Sequence, residues 1–382
     1  MRFSLLIPVS ALLFSANLVS AQADGARAAR DWLFHLSGLD VDQKPLSENL
    51  LLDVGTLAPE KACFDEQEIV HFCSLDTSAV RFLSIYRDTC PPGRKLTDTG
   101  LQIIGRCFPS LEALDADAND LTSLSGLWGF PQTVRELKFI FNFGLKNADL
   151  SPVGPLRNLT SLNLQSVKLS QAALDSLTST SLQFLNFPGD ELQHLRGLAE
   201  RLPALRILSM PGFRVGKADL QQLFALPDLV YAPMEMADAE TKAWIRDEAE
   251  ELWVDASFEK ADLIQALQNR PQHRRIFLNR AIDGEEWTAL LAHDVARIIM
   301  NAGAVPLLIE TAKQLPTIQA RELMLFRKLL FTYDEDTGEM IKHTPALLEA
   351  FAGKATRLLR WVNKPAYNWN TTTVFIDDLP RS

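Results

Sequence analysis

A repeat of 23–25 residues in the middle of the chain constrains the fold more than any other feature. Its copies have apolar residues at their first, fourth and sixth positions, an alternation typical of a short strand with one face turned inward. One copy cannot bury its own apolar edge, so we expect the copies to stack around a continuous core. Clear copies begin at Leu111, Val134, Leu159, Leu182 and Leu205, and weaker copies begin at Val80 and Leu229.

These segments resemble the leucine-rich-repeat motif, L-x-x-L-x-L-x-x-N-x-L. The resemblance implies an α/β fold, namely a solenoid with short parallel strands on its concave face and helices or irregular turns on the outer side. It also implies a buried asparagine at the ninth position, whose amide bonds to neighbouring backbone. Asn119 and Asn142 keep this asparagine and Asp190 is a candidate substitute, whereas Val167 and Phe213 cannot make such bonds.

The first 23 residues have the pattern of a secretory signal peptide. Arg2 precedes an apolar run over residues 3–18, and small-x-small cleavage patterns follow at residues 19–21 and 21–23. We therefore expect a secreted or periplasmic protein, the alternative being an N-terminal membrane anchor. No later segment has the 18 or so consecutive apolar residues that a spanning helix needs, so we expect no membrane insertion of the mature chain.

All four cysteines lie in one part of the sequence: Cys63, Cys73, Cys90 and Cys107. In an exported chain an even number of cysteines predicts two disulfides, and three pairings are open. Proximity favours Cys63–Cys73 with Cys90–Cys107. The C-x2–4-C spacing typical of zinc sites is absent, so no metal is predicted. Exported leucine-rich-repeat proteins often have cysteine-stapled N-terminal caps, and these cysteines are similar in position.

After the repeats, the apolar pattern changes from strand alternation to longer windows with helical spacing. We expect an all-α C-terminal domain there. One stretch, N-A-G-A-V-P-L-L from Asn301, is similar to the turn and helix of an armadillo repeat, and T-P-A-L-L from Thr344 echoes it. The alternative is a small helical bundle. The predicted division of the chain is a signal peptide (1–23), an N-terminal cap with disulfides (24–79), repeats (80–236), a helical domain (237–362) and a loose tail (363–382).

Charge and motifs exclude several classes of function. The chain has 38 basic and 48 acidic residues and a formal net charge of −10, which disfavours nucleic acid as a partner. No histidine pair at i, i+4, no Walker loop and no G-x-S-x-G is present, so we predict no enzyme, no cofactor and no metal. Bacterial effectors that join leucine-rich repeats to a helical ubiquitin ligase use a catalytic cysteine, but none follows Cys107.

Side chains that alternate with the core leucines are expected to line the concave face. We expect Ile140, Phe184 and Ile207 to be exposed there as anchors for a partner, with a polar middle row setting the register. The predicted binding residues are Asp115, Lys138, Ile140, Asn163, Phe184, Asn186, Ile207 and Tyr231.

The sequence thus favours an exported leucine-rich-repeat protein that binds another protein through its concave sheet face and is not catalytic. The acidic surface favours a basic partner. Two alternatives stay open: a binder of glycan or peptidoglycan, and an enzyme with a site assembled between the solenoid and the helical domain.

Overall fold

The structure is a computed structural model. It describes residues 49–51, 69–86, 90, 94–229, 235–236, 238–300, 302–303, 305–326, 331–333, 340–351, 359–362 and 375–376. The chain divides into two units, Met1–Pro211 and Gly212–Ser382, which are described separately. The predicted signal peptide, Cys63, Tyr231 and most of the predicted cap and tail lie outside the described residues.

The first unit contains a seven-stranded parallel sheet whose strands follow one another in chain order. In each of the five clear repeats, the strand occupies the third to fifth positions, which confirms the predicted strands. The strands are β1 (Asn49–Leu51), β2 (Phe82–Ser84), β3 (Ala113–Asp115), β4 (Glu136–Lys138), β5 (Ser161–Asn163), β6 (Phe184–Asn186) and β7 (Ile207–Ser209).

One face of this sheet packs on the core, because the middle residue of each strand is apolar. Leu114, Leu137 and Leu162 are fully buried there, and Leu185 and Leu208 continue the row. The chain returns between strands through short helices and 3-10 turns. These are α1 (Asp98–Cys107), α2 (Gln171–Ser176), α3 (Leu198–Arg201) and the turns Val70–Ser74, Ser125–Gly129, Phe143–Asn147 and Ser151–Val153.

The asparagine predicted at the ninth position bonds to backbone in two successive repeats. Asn119 Nδ2 donates to the carbonyls of Ile85 (2.7 Å) and Asp117 (2.9 Å). Asn142 Nδ2 donates to the carbonyls of Ala116 (2.8 Å) and Ile140 (3.3 Å). Both amides are buried, so the prediction is confirmed for these two residues.

Asp190 does not substitute for this asparagine. It is exposed and lies 3.8 Å from Lys168 in an ion pair.

The disulfide pairing favoured by sequence proximity is wrong. Cys73 is bonded to Cys107, with their Cα atoms 4.7 Å apart. The fold brings the Val70–Ser74 turn against the end of α1, and this contact outweighs proximity along the chain. Cys90 is disulfide-bonded as well.

The all-α prediction for the C-terminal region is also wrong, because the second unit contains a six-stranded sheet. Its first five strands are parallel, and the last pairs antiparallel to the fifth. In sheet order they are β10 (Glu251–Val254), β11 (Gln272–Leu278), β12 (Asp294–Met300), β13 (Leu323–Phe326), β16 (Leu359–Val362) and β17 (Phe375–Ile376). Two short pairs join β8 (Arg214–Val215) to β9 (Glu235–Met236), and β14 (Phe331–Tyr333) to β15 (Met340–Lys342).

Helices alternate with the strands of this sheet, an order that an armadillo repeat does not have. Strands β10 to β12 end in short apolar runs that are buried on both faces, and periodicity does not distinguish such a run from a buried helix. The helices are α4 (Lys217–Phe224), α5 (Ala239–Asp247), α6 (Lys260–Asn269), α7 (Gly284–Leu291), α8 (Val305–Gln314) and α9 (Thr344–Phe351).

Among the described residues, none of the helices has the length and apolarity that crossing a membrane requires.

Candidate functional site

The polar row predicted for the open face of the first sheet forms as a ladder across adjacent strands. Asp115, Lys138, Asn163 and Asn186 are register partners in turn. Asn186 Nδ2 donates to Asn163 Oδ1 at 3.1 Å, and Lys138 Nζ lies 2.8 Å from Asp115 Oδ2. The fold therefore brings four of the predicted residues together.

An acidic cluster surrounds Lys138 in this row. Lys138 Nζ also lies 2.5 Å from Asp117 Oδ2, and Asp117 Oδ1 accepts the Ile140 backbone N–H at 2.7 Å. Burial, and secondly the charge of Asp117, raise the pKa of Asp115 to about 7. Burial acts against the charge of Lys138, but the two carboxylates outweigh it and leave the pKa of Lys138 raised.

The three apolar residues expected to anchor a partner do not face solvent. Ile140, Phe184 and Ile207 are only 5%, 8% and 1% exposed, so the predicted exposure is wrong. Alternation along a strand gives the face on which a side chain lies. It does not say whether neighbouring side chains cover it, and here they do.

A different pair of aromatic residues is exposed, just beyond the end of β4. Phe141 is 44% exposed and Phe143 is 67% exposed, and their rings meet edge to face with centroids 6.2 Å apart. Both rings line a cavity of about 580 Å³, together with the half-buried Tyr86. Sequence reasoning missed this pair because it searched only the strand positions.

The backbone at Phe141 is left-handed, with φ of 60°. Ala118 (φ 58°) and Ser166 (φ 71°) hold the same eighth position of their repeats, so the turn after the strand recurs. An aromatic residue is a genuine outlier there, because its Cβ crowds the following carbonyl at a cost of about 1–2 kcal/mol. In the repeats that begin at Leu182 and Leu205 the eighth position is a glycine, and of these two Gly212 (φ 85°) has the left-handed backbone.

Polar groups border the aromatic cavity and define what it can bind. Lys95, Asp120 and Thr122 belong to its lining, at the ends of the strands. Thr122 is held by Asp98, to which its Oγ1 donates at 2.6 Å. The arrangement suits an apolar or aromatic group that carries polar atoms at its edge.

No group of three or more histidine, cysteine, aspartate or glutamate side chains that could hold a metal ion occurs among the described residues. The cluster around Lys138 consists of one ammonium and its carboxylates. These charges suit the recognition of a charged group.

Neither a family model nor a curated protein matches the chain. Among solved structures, the chain is similar to one described as "Crystal structure of Rad7 and Elc1 complex in yeast", with 15% identical residues and a TM-score of 0.34. The alignment covers 85% of this chain and 94% of that chain. A TM-score of this size shows neither a shared fold nor a shared function.

Proposed function

We propose that this chain is an exported protein of leucine-rich-repeat type that binds another protein and is not catalytic. The contact surface combines the aromatic cavity at Tyr86, Phe141 and Phe143 with the polar ladder from Asp115 to Asn186. In this ladder Lys138 is half-buried, whereas Asp115, Asn163 and Asn186 are buried, so the predicted exposure of these three residues is wrong. We call this combination the ladder surface.

The observation that carries the proposal is the exposed, left-handed Phe141. A strained backbone that turns an aromatic ring toward solvent lowers the stability of the free protein, so the ring is retained for something other than folding. Aromatic side chains are enriched among the residues that contribute most to protein–protein binding energy. Phe143 beside it enlarges the apolar area that a partner can cover.

Charge on the same surface favours a basic group on the partner. Asp115, Asp117 and Glu136 surround the single ammonium of Lys138. The pKa of Asp115 is raised to about 7, so at a higher pH, where all three carboxylates are ionised, the cluster has an excess of negative charge. An arginine or lysine of the partner placed over this cluster would complement it, and the association rate would fall with added salt.

Two further observations support the non-catalytic and exported parts of the proposal. Polar groups of the ladder are hydrogen-bonded to one another or to backbone, as Asn163, Asn186 and Asp117 are. The Cys73–Cys107 disulfide fits an oxidising compartment. Mass spectrometry of the protein purified from its native source tests export directly, since loss of residues 1–23 is the expected result and an intact N-terminus contradicts it.

The binding proposal is tested by affinity capture from envelope and secreted fractions, with the mature protein as bait. The variant is Phe141→Asn with Phe143→Asn, and the matched control is Trp128→Asn, which removes an exposed aromatic side chain outside the cavity. We expect one basic protein to be retained by the wild type and the control and lost by the variant. The captured protein is then purified and titrated into each bait by calorimetry.

Two outcomes contradict the proposal. One is retention of the same protein by all three baits, which would place its binding elsewhere on the chain. The other is retention of a polysaccharide, and of no protein, by the wild type and the control alone. That result would support glycan binding, with sugar stacking on Phe141 beside the polar groups of Asp120 and Thr122.

A further inference from the structure

The second unit has a polar cavity of about 360 Å³ at the amino-terminal end of its parallel strands. The strands β11 and β12 begin at Gln272 and Asp294, which both line it. Its lining residues are Glu250, Arg270, Gln272, His273, Arg274, Asp294, Ala296 and Arg321.

Two of the residues that line this cavity each have a buried side-chain nitrogen atom without a hydrogen-bond partner. They are Nε2 of His273 and Nε of Arg270. The His273 side chain is deeply buried, since the residue is only 3% exposed. A buried polar atom without a partner costs about 1–3 kcal/mol, so two of them at one cavity indicate a missing ligand.

The neighbouring His293 determines what His273 can offer to such a ligand. His273 Nδ1 and His293 Nε2 are 2.8 Å apart, so one of them donates to the other. Burial, with the charges of His293 and Arg270, lowers the pKa of His273 to about 4, and the ring is neutral near pH 7. When His293 donates to Nδ1, the proton of His273 sits on Nε2, so that this atom is a donor, as Arg270 Nε is in every state.

The charges around the cavity are positive on balance. Arg321 is paired with Asp294, at 3.1 Å between Nη2 and Oδ1. Arg274 Nε lies 3.7 Å from Glu251 Oε1, and Glu251 is also paired with Arg275. The lining thus has three arginines and two carboxylates, those of Glu250 and Asp294. Arg270 is held in place because its Nη2 donates to the Glu248 carbonyl. This positive balance occurs in a chain with a net charge of −10.

A metal ion is a poorer occupant than an anion. Two histidine nitrogens that share a tetrahedral zinc ion are about 3.3 Å apart, as follows from Zn–N bonds of about 2.0 Å. The observed 2.8 Å between His273 and His293 is a hydrogen-bond distance. Arg270 Nε always carries a proton and requires an acceptor, and so does His273 Nε2 when His293 is the donor of the histidine pair.

We propose that this cavity binds a small oxyanion, a phosphate or carboxylate group, with Arg270 Nε and His273 Nε2 as its donors and Arg274 as a further positive charge. This site is separate from the ladder surface and does not depend on the proposed protein binding. The oxyanion belongs to a free metabolite or to a group on a larger ligand.

The test is calorimetric titration of the full chain at pH 7.5 with sodium phosphate and, separately, with sodium acetate, at ionic strength held constant with chloride. We expect saturable binding of at least one of these ions. Arg270→Gln should weaken it about tenfold or more, since hydrogen bonds to charged groups contribute about 1.5–3 kcal/mol. The matched control is Arg214→Gln, which removes an exposed arginine outside the cavity and should leave binding unchanged.

Imidazole ¹⁵N spectra give a second measurement that does not depend on a variant folding. Phosphate or acetate should shift the His273 Nε2 resonance along the same saturation curve. Three results overturn the proposal: no saturable binding of either ion, equal loss in Arg270→Gln and Arg214→Gln, or binding that leaves His273 Nε2 unshifted. Saturation by phosphate alone points to a phosphate-bearing ligand, and saturation by acetate alone points to a carboxylate.

Discussion

Arg275 and Glu251 form a buried ion pair between register partners on β11 and β10, with Nη2 and Oε2 2.8 Å apart. Both side chains are 3% exposed. Burial raises the pKa of Glu251 and lowers that of Arg275, so neither charge is stable there alone. Arg275 also donates to the carbonyls of Phe224 (2.9 Å) and Leu226 (2.7 Å), which holds the end of α4 against the sheet.

Arg275→Gln should lower the free energy of unfolding by about 3–5 kcal/mol, because it leaves the buried Glu251 carboxylate with only Arg274, whose Nε is 3.7 Å away, as a counter-charge. Urea unfolding followed by circular dichroism measures this. The control is Arg246→Gln, since Arg246 pairs with Asp247 at the surface and should change stability by about 1 kcal/mol or less. Equal losses in the two variants would show that burial of the Arg275–Glu251 pair does not increase its effect on the free energy of unfolding.

Asn142→Ala should lower the free energy of unfolding by about 2–4 kcal/mol. The change leaves the carbonyls of Ala116 and Ile140 and the N–H of Leu121 without their buried partner. Asn158→Ala is the matched control, because Asn158 is exposed and makes one side-chain bond, to the Gln132 carbonyl. Thermal unfolding compares the two. A loss at Asn142 no larger than that at Asn158 would contradict the role of the buried amide.

Phe141→Asn should leave the free energy of unfolding unchanged or raise it by up to about 1 kcal/mol. Asparagine tolerates the left-handed backbone that strains phenylalanine, and the ring it replaces is largely exposed. Phe143→Asn removes a more exposed ring where φ is not positive, so no strain is relieved and no gain is expected. If Phe141→Asn proves the more destabilising of the two, the strain argument for the ladder surface fails.

Asp115 should make stability fall as the pH rises from about 4 to about 7. Its pKa is raised in the folded state, so the folded chain holds a proton that the unfolded chain releases at lower pH. Asp115→Asn should flatten this part of the pH profile of the unfolding free energy. Asp117 and Glu136, whose pKa values are also raised by burial, keep a residual slope.

The control for this pH profile is Asp190→Asn, which alters an exposed carboxylate. It should keep the wild-type slope between pH 4 and pH 7. A slope that Asp115→Asn does not reduce would show that the Asp115 carboxyl titrates alike in the folded and unfolded chains.

The repeat determined much of the first unit in advance. The amide bonds of Asn119 and Asn142 were implied by the resemblance to leucine-rich repeats. The repeat did not predict β1, but its apolar positions predicted the strands β2 to β7 and the buried row around Leu114, Leu137 and Leu162. It also predicted that Asp115, Lys138, Asn163 and Asn186 would meet. These features come from contacts between equivalent positions of successive repeats, so the repeat period is enough to predict them.

Predictions from the sequence pattern were wrong where the burial or the bonding of a residue depends on several neighbours in the folded chain. Ile140, Phe184 and Ile207 are covered by surrounding side chains. The strands β10 to β12 were not predicted, because an apolar run buried on both faces has no periodicity of two. The Cys73–Cys107 bond depends on which turn packs against α1, a contact made at long separation in the chain.

By itself, then, the sequence determined the period and the strands β2 to β7 of the first unit, because these follow from local alternation repeated at a constant spacing. The buried asparagines followed from the resemblance to leucine-rich repeats. Only the tertiary structure decided which side chains reach solvent and which are paired. The exposure of Phe141 depends on a left-handed backbone, and the unpaired nitrogens of His273 and Arg270 depend on what packs around them. Burial and hydrogen bonding are properties of three-dimensional neighbours, and both candidate binding sites are defined by them.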